Sequence, residues 1–412
     1  MSQAALVPKL RFSEFSDDWE EKRFVDITTK ISDGIHSTPN YDEGGTYSFV
    51  NGNNLVNGVI KINSQTKKVD ENEYTTHQRP LGSNTILISI NGTIGNLALY
   101  NNEKVVLGKS ACYLNINEKD TDKLYVFNLL RTCKIKRFFN SELTGSTIKN
   151  LSLTTIKNTK LNLPTKPEQQ KIAAFLTAVD NKIEQLSKKQ ALLGEYKKGL
   201  MQQIFSQAIR FHSKGTSSQA QGEIDDTPGQ PLLPNGNSPS GSEFPDWKEK
   251  KLGGVSVRGT SNISANQLED NNGDYKIYGA AGHLKNIDFY TEEDCYVAIV
   301  KDGAGVGRIM LLESKTSVLG TLAIIKAKQG NDINFLYWLI QTINFRKYVV
   351  GSTIPHIYYR DYQAEKLRIP SLSEQTKIAN FLSFIDSKIE QVGKQLDESK
   401  QFKKALLQQM FV

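Results

Sequence analysis

The sequence predicts an α+β protein. Two mixed α/β domains stand in tandem pseudo-repeat, each followed by a long helix, and the two helices form an intramolecular antiparallel coiled coil. Three observations carry this reading. The stretch Glu168–Phe205 recurs without a gap at Glu374–Phe411, an offset of 206 residues in a 412-residue chain. The match extends back to Gly145–Ile148 and Gly351–Ile354, with 26 identities over 61 aligned positions. Each copy repeats apolar side chains in steps of four and three: Ile172, Leu176, Val179, Ile183 and Leu186 in the first, Ile378, Leu382, Ile385, Ile389 and Val392 in the second. That 3.5-residue seam is the pattern of a coiled coil. Upstream of each helix the pattern changes to short β-rich runs separated by Gly and Asn, the signature of a sheet.

In chain order, residues 1–165 form the first domain, beginning with an arm of about ten residues. Phe15 and Trp19 precede a polar turn, a pairing echoed by Phe244 and Trp247, so each Trp is expected to anchor the start of a domain. Strands are expected at Tyr47–Val50, Gly58–Ile62, Thr85–Ile90, Leu97–Tyr100 and Cys112–Ile116, and a helix over Asp122–Asn140. Residues 166–211 form the central helix. At 1.5 Å per residue its repeated part spans roughly 57 Å, a useful spacer. Gln190 and Lys197 interrupt the first seam, Ser399 and Lys403 the second, and are expected to mark a mismatch or a docking point. His212–Glu243 contains five Gly, four Pro and six Ser in 32 residues. It cannot bury enough apolar surface to fold and reads as a flexible linker. Residues 244–371 repeat the first scheme, with strands at Tyr275–Tyr278, Cys295–Val300, Arg308–Leu312 and Thr321–Ile325 and a helix at Ile333–Tyr348; 372–412 form the C-terminal helix. Asp302–Gly307 falls where Asn91–Gly95 falls in the first half, and Leu319-Gly320 answers Leu107-Gly108. The framework is kept while the polar loops diverge, as in two binding modules with different targets.

Composition bounds the function. The net charge of +7 and pI near 9.0 favour an anionic partner. The three cysteines, Cys112, Cys133 and Cys295, show no pairing pattern and fit a reducing cytoplasm. No run approaches the ~18 apolar residues of a membrane span. Catalytic motifs fail one by one. Gly303–Gly307 lacks phosphate-loop spacing and precedes a strand, so it reads as a hairpin turn. Gly108-Lys109-Ser110 resembles the end of a P-loop, but Glu103 stands where its first Gly belongs. Pro245-Asp246 and Glu249-Lys250-Lys251 lie too close to build a nuclease hairpin. His36, His77, His212, His283 and His356 lack metal-ligand spacing. No catalytic residue and no metal site is expected in this chain.

One combination of residues does carry a resemblance. Leu161-Asn-Leu-Pro164 leads into Glu168-Gln-Gln-Lys-Ile-Ala173, and Leu367-Arg-Ile-Pro370 into Glu374-Gln-Thr-Lys-Ile-Ala379. With Asp33-Gly-Ile-His36-Ser-Thr-Pro39 and Tyr275-Lys-Ile-Tyr-Gly-Ala-Ala-Gly282, this resembles the specificity subunit of Type I restriction-modification enzymes over nearly the whole chain. The long linker departs from the compact central region of that family. The resemblance implies two target recognition domains, each reading half of a split double-stranded DNA site, with the helices as spacer. It implies docking of two modification subunits, which carry S-adenosylmethionine and methylate adenine N6, and then of restriction subunits. This chain would hold no cofactor itself and would act in the cytoplasm.

Arg and Lys suit guanine edges and phosphates, Asn and Gln suit adenine. Expected DNA-contacting residues in the first domain are Lys30, Ser32, His36, Ser37, Thr38, Asn51, Asn53, Asn54, Asn91, Thr93, Lys109, Ser146, Thr147 and Lys149. Those in the second are Arg258, Thr260, Ser261, Asn262, Tyr278, His283, Lys301, Arg308, Ser352, Thr353 and His356. The competing reading is a coiled-coil adaptor with two β-rich modules that bind protein. Salt-dependent retardation of duplex DNA separates the two.

Overall fold

The computed structural model describes residues 7–145, 149–211 and 244–412, so the expected linker lies outside the described residues. The chain divides into two units: residues up to Lys188 with Gly393–Val412, and Lys189–Val392.

In the first unit four antiparallel strands run in the order Thr28–Asp33, Ala111–Ile116, Thr85–Ser89, Leu97–Leu99. Every residue of Thr85–Ser89 and Ala111–Ile116 is buried, which explains their continuous apolar composition. Thr85, Ser89 and Asn115 are the polar exceptions, and Asn115 carries the one amide among them. It accepts from Thr85 Oγ1 at 2.7 Å and donates to the Pro80 carbonyl at 2.6 Å, so both ends of its amide are satisfied. A smaller sheet sets Tyr47–Val50 between Lys68–Val69, antiparallel, and Val105–Leu107, parallel. Glu20–Arg23 pairs with Lys160–Leu163, closing the domain beside the start of the long helix.

The second unit repeats this plan with different residues. Its four antiparallel strands are Ser256–Thr260, Leu322–Ala327, Tyr296–Val300 and Ile309–Leu312. The smaller sheet sets Tyr275–Gly279 between Gly282–Ile287 and Ser317–Val318. Lys248–Lys251 pairs with Lys366–Ile369. Trp19 and Trp247 are both buried at the starts of their domains.

Two helices differ from expectation. The helix expected over Asp122–Asn140 is two, Lys123–Leu130 and Cys133–Ser141. Thr132 is extended, and its hydroxyl accepts from the Ile135 N–H, capping a new helix. Ile333–Tyr348 likewise divides into Ile333–Ile340 and a 3₁₀ turn, Phe345–Tyr348, capped by Asn344. Periodicity ran through both breaks because the apolar faces of the two pieces point into one core.

The long helices run Lys166–Phe205 and Leu372–Gln409. The first ends before residue 211 because Gln207 takes a left-handed conformation, φ 63°. Their seams do two tasks at once. In the first unit Ile172, Ala173 and Leu176 share one core with Trp19, Phe24 and Tyr125, and also with Leu406 and Met410 from the end of the second helix. In the second unit Ile378, Ala379, Leu382 and Ile385 share a core with Phe335 and Trp338, and with Leu200 and Ile204 from the end of the first. In each unit the two helical segments run antiparallel. Val179 and Ile389 pack at the edges of these cores, Leu186 and Val392 are buried, and Ile183 is half-buried.

Each Lys that interrupts a seam is paired with a carboxylate on the opposing helix. Lys403 bonds Asp180, which also receives Arg131 at 3.0 Å. Lys197 bonds Asp386 at 2.5 Å and lies 4.4 Å from the centre of the Trp338 ring. An ion pair with a carboxylate on the opposing helix takes the place of apolar contact.

The N-terminal arm is tied down at its end. The Leu10 N–H donates to the Gln409 carbonyl at 2.9 Å, and Phe12 packs edge-on against Phe175 at 5.8 Å. The second unit repeats this with Ile209 N–H to the Gln203 carbonyl at 3.3 Å and Phe211 against Phe381 at 5.5 Å. Leu10-Arg11-Phe12 and Ile209-Arg210-Phe211 are therefore equivalent, a three-residue repeat that the sequence reading missed.

The Glu-Gln pair that opens each helix repeat has a structural explanation. Glu168 is fully buried and takes two hydrogen bonds from Arg11, both 2.8 Å; Glu374 does the same with Arg210, at 2.9 and 3.3 Å. Gln169 accepts from the Asp122 N–H and donates to the Pro164 carbonyl; Gln375 accepts from Asp332 and donates to Pro370. Each Gln thus ties the helix-capping Asp to the strand leading into the long helix. These residues hold the domain on its helix.

Candidate nucleic-acid interface

One end of the four-stranded sheet in each unit gathers the divergent loops. In the first unit the chain leaves Thr28–Asp33 through Gly34, whose N–H bonds the Ala111 carbonyl at 3.1 Å, while Ile35 bonds Leu107 at 2.7 Å. A Cβ on Gly34 would lie 2.0 Å from the Leu107 carbonyl oxygen, so only glycine permits this approach. The approach brings His36, Ser37 and Thr38 to the rim, all exposed, with the His36 ring 2.8 Å from the Asp33 carboxylate. Next to them, Ser110 donates to Asn51 Oδ1 at 2.8 Å and accepts from the Gly52 N–H at 2.9 Å. Asn91 bridges Asn150 and reaches the Lys109 carbonyl at 3.5 Å, while Thr93 lies 3.1 Å from the Ser89 hydroxyl. Asn53, Lys109 and Lys149 are exposed along this rim.

Loops far apart in sequence therefore converge: 33–38, 51–54, 91–95, 108–110, and 144–145 with 149–150. Most of the expected residues are brought together. Asn54 is committed to its own turn, since it accepts from the Asn51 N–H and donates to the Lys61 carbonyl. Lys30 and Ser32 lie on the edge strand, opposite Asn115 and Tyr113, rather than in a loop. Ser146 and Thr147 lie outside the described residues.

The second unit builds an equivalent rim. The Gly320 N–H bonds the Ile263 carbonyl at 2.8 Å, Leu319 bonds Tyr278 at 2.9 Å, and Lys301 bonds Thr321 at 2.9 Å. This brings Ser261, Asn262, Tyr278 and Lys301 together. The glycine run 303–307 is the hairpin turn between Tyr296–Val300 and Ile309–Leu312. It is pinned to the loop carrying Ser352 and Thr353, since Asp302 bridges His356 and the Gly303 N–H bonds the Pro355 carbonyl at 2.9 Å. Arg308 is exposed but held by the Ala280 carbonyl at 2.6 Å, and in the adjoining hairpin the Tyr278 and His283 rings lie 5.8 Å apart. Arg258 and Thr260 lie on the edge strand, Arg258 in the place Lys30 has in the first unit.

Sequence reasoning missed two residues beside this rim. Tyr358 is exposed and packs against His356, and Arg360 stacks over Tyr358 at 4.8 Å. The available signal was Tyr358 two residues past the candidate His356, with Arg360 two residues further. Asp33, Ser110 and Asn150 were also missed; they shape the loops by hydrogen bonding. Among the described residues no cluster of His, Cys, Asp and Glu could hold a metal ion. Backbone-pinned loops with exposed Lys, Arg, Asn, Ser and Thr can bind phosphate oxygens and base edges.

Comparison with known proteins agrees. The family model described as the Type I restriction modification DNA specificity domain matches residues 16–193 and again 245–398. The MjaVIII specificity subunit of a type I restriction enzyme from Methanocaldococcus jannaschii is 25% identical, covering 95% of this chain and 91% of that protein. The EcoDI specificity subunit from Escherichia coli is 29% identical over 39% of this chain and 37% of its own length. The crystal structure of the S subunit from M. genitalium superposes with a TM-score of 0.64 at 16% identity, covering 99% of both chains, which shows a shared fold.

Proposed function

The chain belongs to the Type I restriction-modification DNA specificity family, one domain in each half, and from that premise we propose that it reads a bipartite DNA target. It is a recognition subunit, not a catalyst. Each rim of loops reads one half-site in the major groove, and the long helices set the gap between the half-sites. Two modification subunits bring S-adenosylmethionine and methylate adenine N6 in each half-site; restriction subunits join that core. The cytoplasm is the compartment in which such a complex meets DNA. Cys112, Cys133 and Cys295 are free, and no helix among the described residues is long and apolar enough to cross a membrane.

The observation that carries this reading is the paired rims. Equivalent backbone bonds pin non-equivalent polar side chains at the same end of two copies of one sheet, which is how two readers of different sequences would differ. The test is co-expression with a cognate modification subunit, followed by sequencing of methylated adenines. One bipartite motif with a fixed spacer is the expected result. Exchanging residues 28–160 for the equivalent part of another specificity subunit should change one half of the motif and leave the other. Active co-expression that yields no bipartite motif overturns the proposal.

A further inference from the structure

Lys197 and Lys403 occupy seam positions that an apolar side chain would fill: Lys197 follows Leu193 and precedes Leu200, Lys403 follows Leu396 and precedes Leu406. Lys403 is only 5% exposed. Burial, and then the nearby Arg131, lower its pKa against the raising effect of Asp180. Replacing such pairs by apolar residues is often neutral or stabilising, and their best-attested use is to fix helix register.

The positions of the partners show which register. Lys403 meets Asp180 within the first unit and Lys197 meets Asp386 within the second. Asp180 to Lys197 is 17 residues forward on one helix; Lys403 to Asp386 is 17 residues back on the other. Each unit by itself therefore reports the same antiparallel alignment. A parallel alignment of repeat-equivalent positions would set Asp180 against Asp386 and Lys197 against Lys403. An antiparallel slip of seven residues would set Asp180 against Leu396 or Met410, and Lys403 against Ala173 or Ser187. Each lock is also braced by its own domain, Asp180 by Arg131 and Lys197 by the Trp338 ring.

We infer that Asp180–Lys403 and Lys197–Asp386 are twin register locks, which admit one alignment of the long helices and so fix the spacer between half-sites at a single length. The inference rests on the proposed function, and the residues are positioning residues that act through the helices. A slip of seven residues shifts one helix by about 10 Å, close to three base pairs at about 3.4 Å each.

The test uses the full chain co-expressed with its modification subunit. The wild type must first yield one bipartite motif; if it does not, the functional proposal fails, not the lock. In the variant D180L/K197L/D386L/K403L the seam becomes apolar throughout. The expected result is a soluble complex whose methylated sites include spacers about three base pairs longer or shorter than wild type. An unchanged single spacer at the wild-type level of modification overturns the inference. A second set decides the matter should the leucine variant not fold. D386K, which sets Lys against Lys197, should lower modification at least tenfold, and K197D/D386K should recover most of it. No loss in the first, or no recovery in the second, overturns the inference.

Discussion

Removal of Arg11 tests how each domain is fastened to its helix. Glu168 has no exposed side-chain surface, and both of its carboxylate oxygens are bonded by Arg11 at 2.8 Å. Arg11→Ala leaves that charge buried without its guanidinium, which costs about 3–5 kcal/mol. Glu168→Gln keeps the volume and one acceptor, and leaves an Arg already near the surface free to turn to water, so it should cost about 1–2 kcal/mol. Arg11→Ala with Glu168→Leu removes both partners and should fall within about 1 kcal/mol of wild type. With a urea slope of about 2–3 kcal/mol/M, the single Arg11 variant loses between about 1 and 2.5 M in midpoint. A chain of two units has no single unfolding free energy, so the midpoint must be read locally. Pulsed hydrogen exchange on peptides from 20–33 and 160–176 reports the first unit, and peptides from 296–325 act as the control. The reasoning is refuted if the double variant is as unstable as Arg11→Ala, because the buried unpaired charge would then not be the cause.

Gly34→Ala should cost about 1–3 kcal/mol in the first domain and abolish reading of its half-site, since the new Cβ meets the Leu107 carbonyl at 2.0 Å and backbone must yield; half-site methylation and a thermal melt check it. Lys109→Ala should weaken binding to all duplexes alike and reduce the slope of log K against log salt by about 1 if Lys109 holds a phosphate; Arg308→Ala should instead relax the motif in the second half-site at about 1–3 kcal/mol. Binding measured across a salt series and motif sequencing separate the two. In the second domain, hydrogen bonds from Lys347 and then Tyr348 hold the Glu365 carboxyl below its ordinary 4.5. Its contribution is present above that value and lost as pH falls through the lowered one, so Glu365→Gln should flatten the acid limb of stability below about pH 4.5. Equal acid sensitivity of variant and wild type counts against it.

The sequence by itself determined the duplication, the two long helices, the sheet-forming segments and the family, because these are written in short-range periodicity and in a repeat at fixed offset. It also marked most of the rim, since glycines and polar runs identify loops whatever their final position. Only the tertiary structure decided what those loops meet. The Ser110–Asn51 and Asn91–Asn150 contacts join residues 59 positions apart in each case, and no local pattern encodes such a distance. It likewise divided the Asp122–Asn140 helix at Thr132, where one capping hydroxyl outweighs an unbroken apolar pattern. Lys197 and Lys403 make the sharpest case. Along the chain they are faults in a seam; their carboxylates lie on the other helix, at positions that become neighbours only once the helices run antiparallel. A charge in an apolar stripe is a defect or a device according to what faces it, and what faces it is settled by packing.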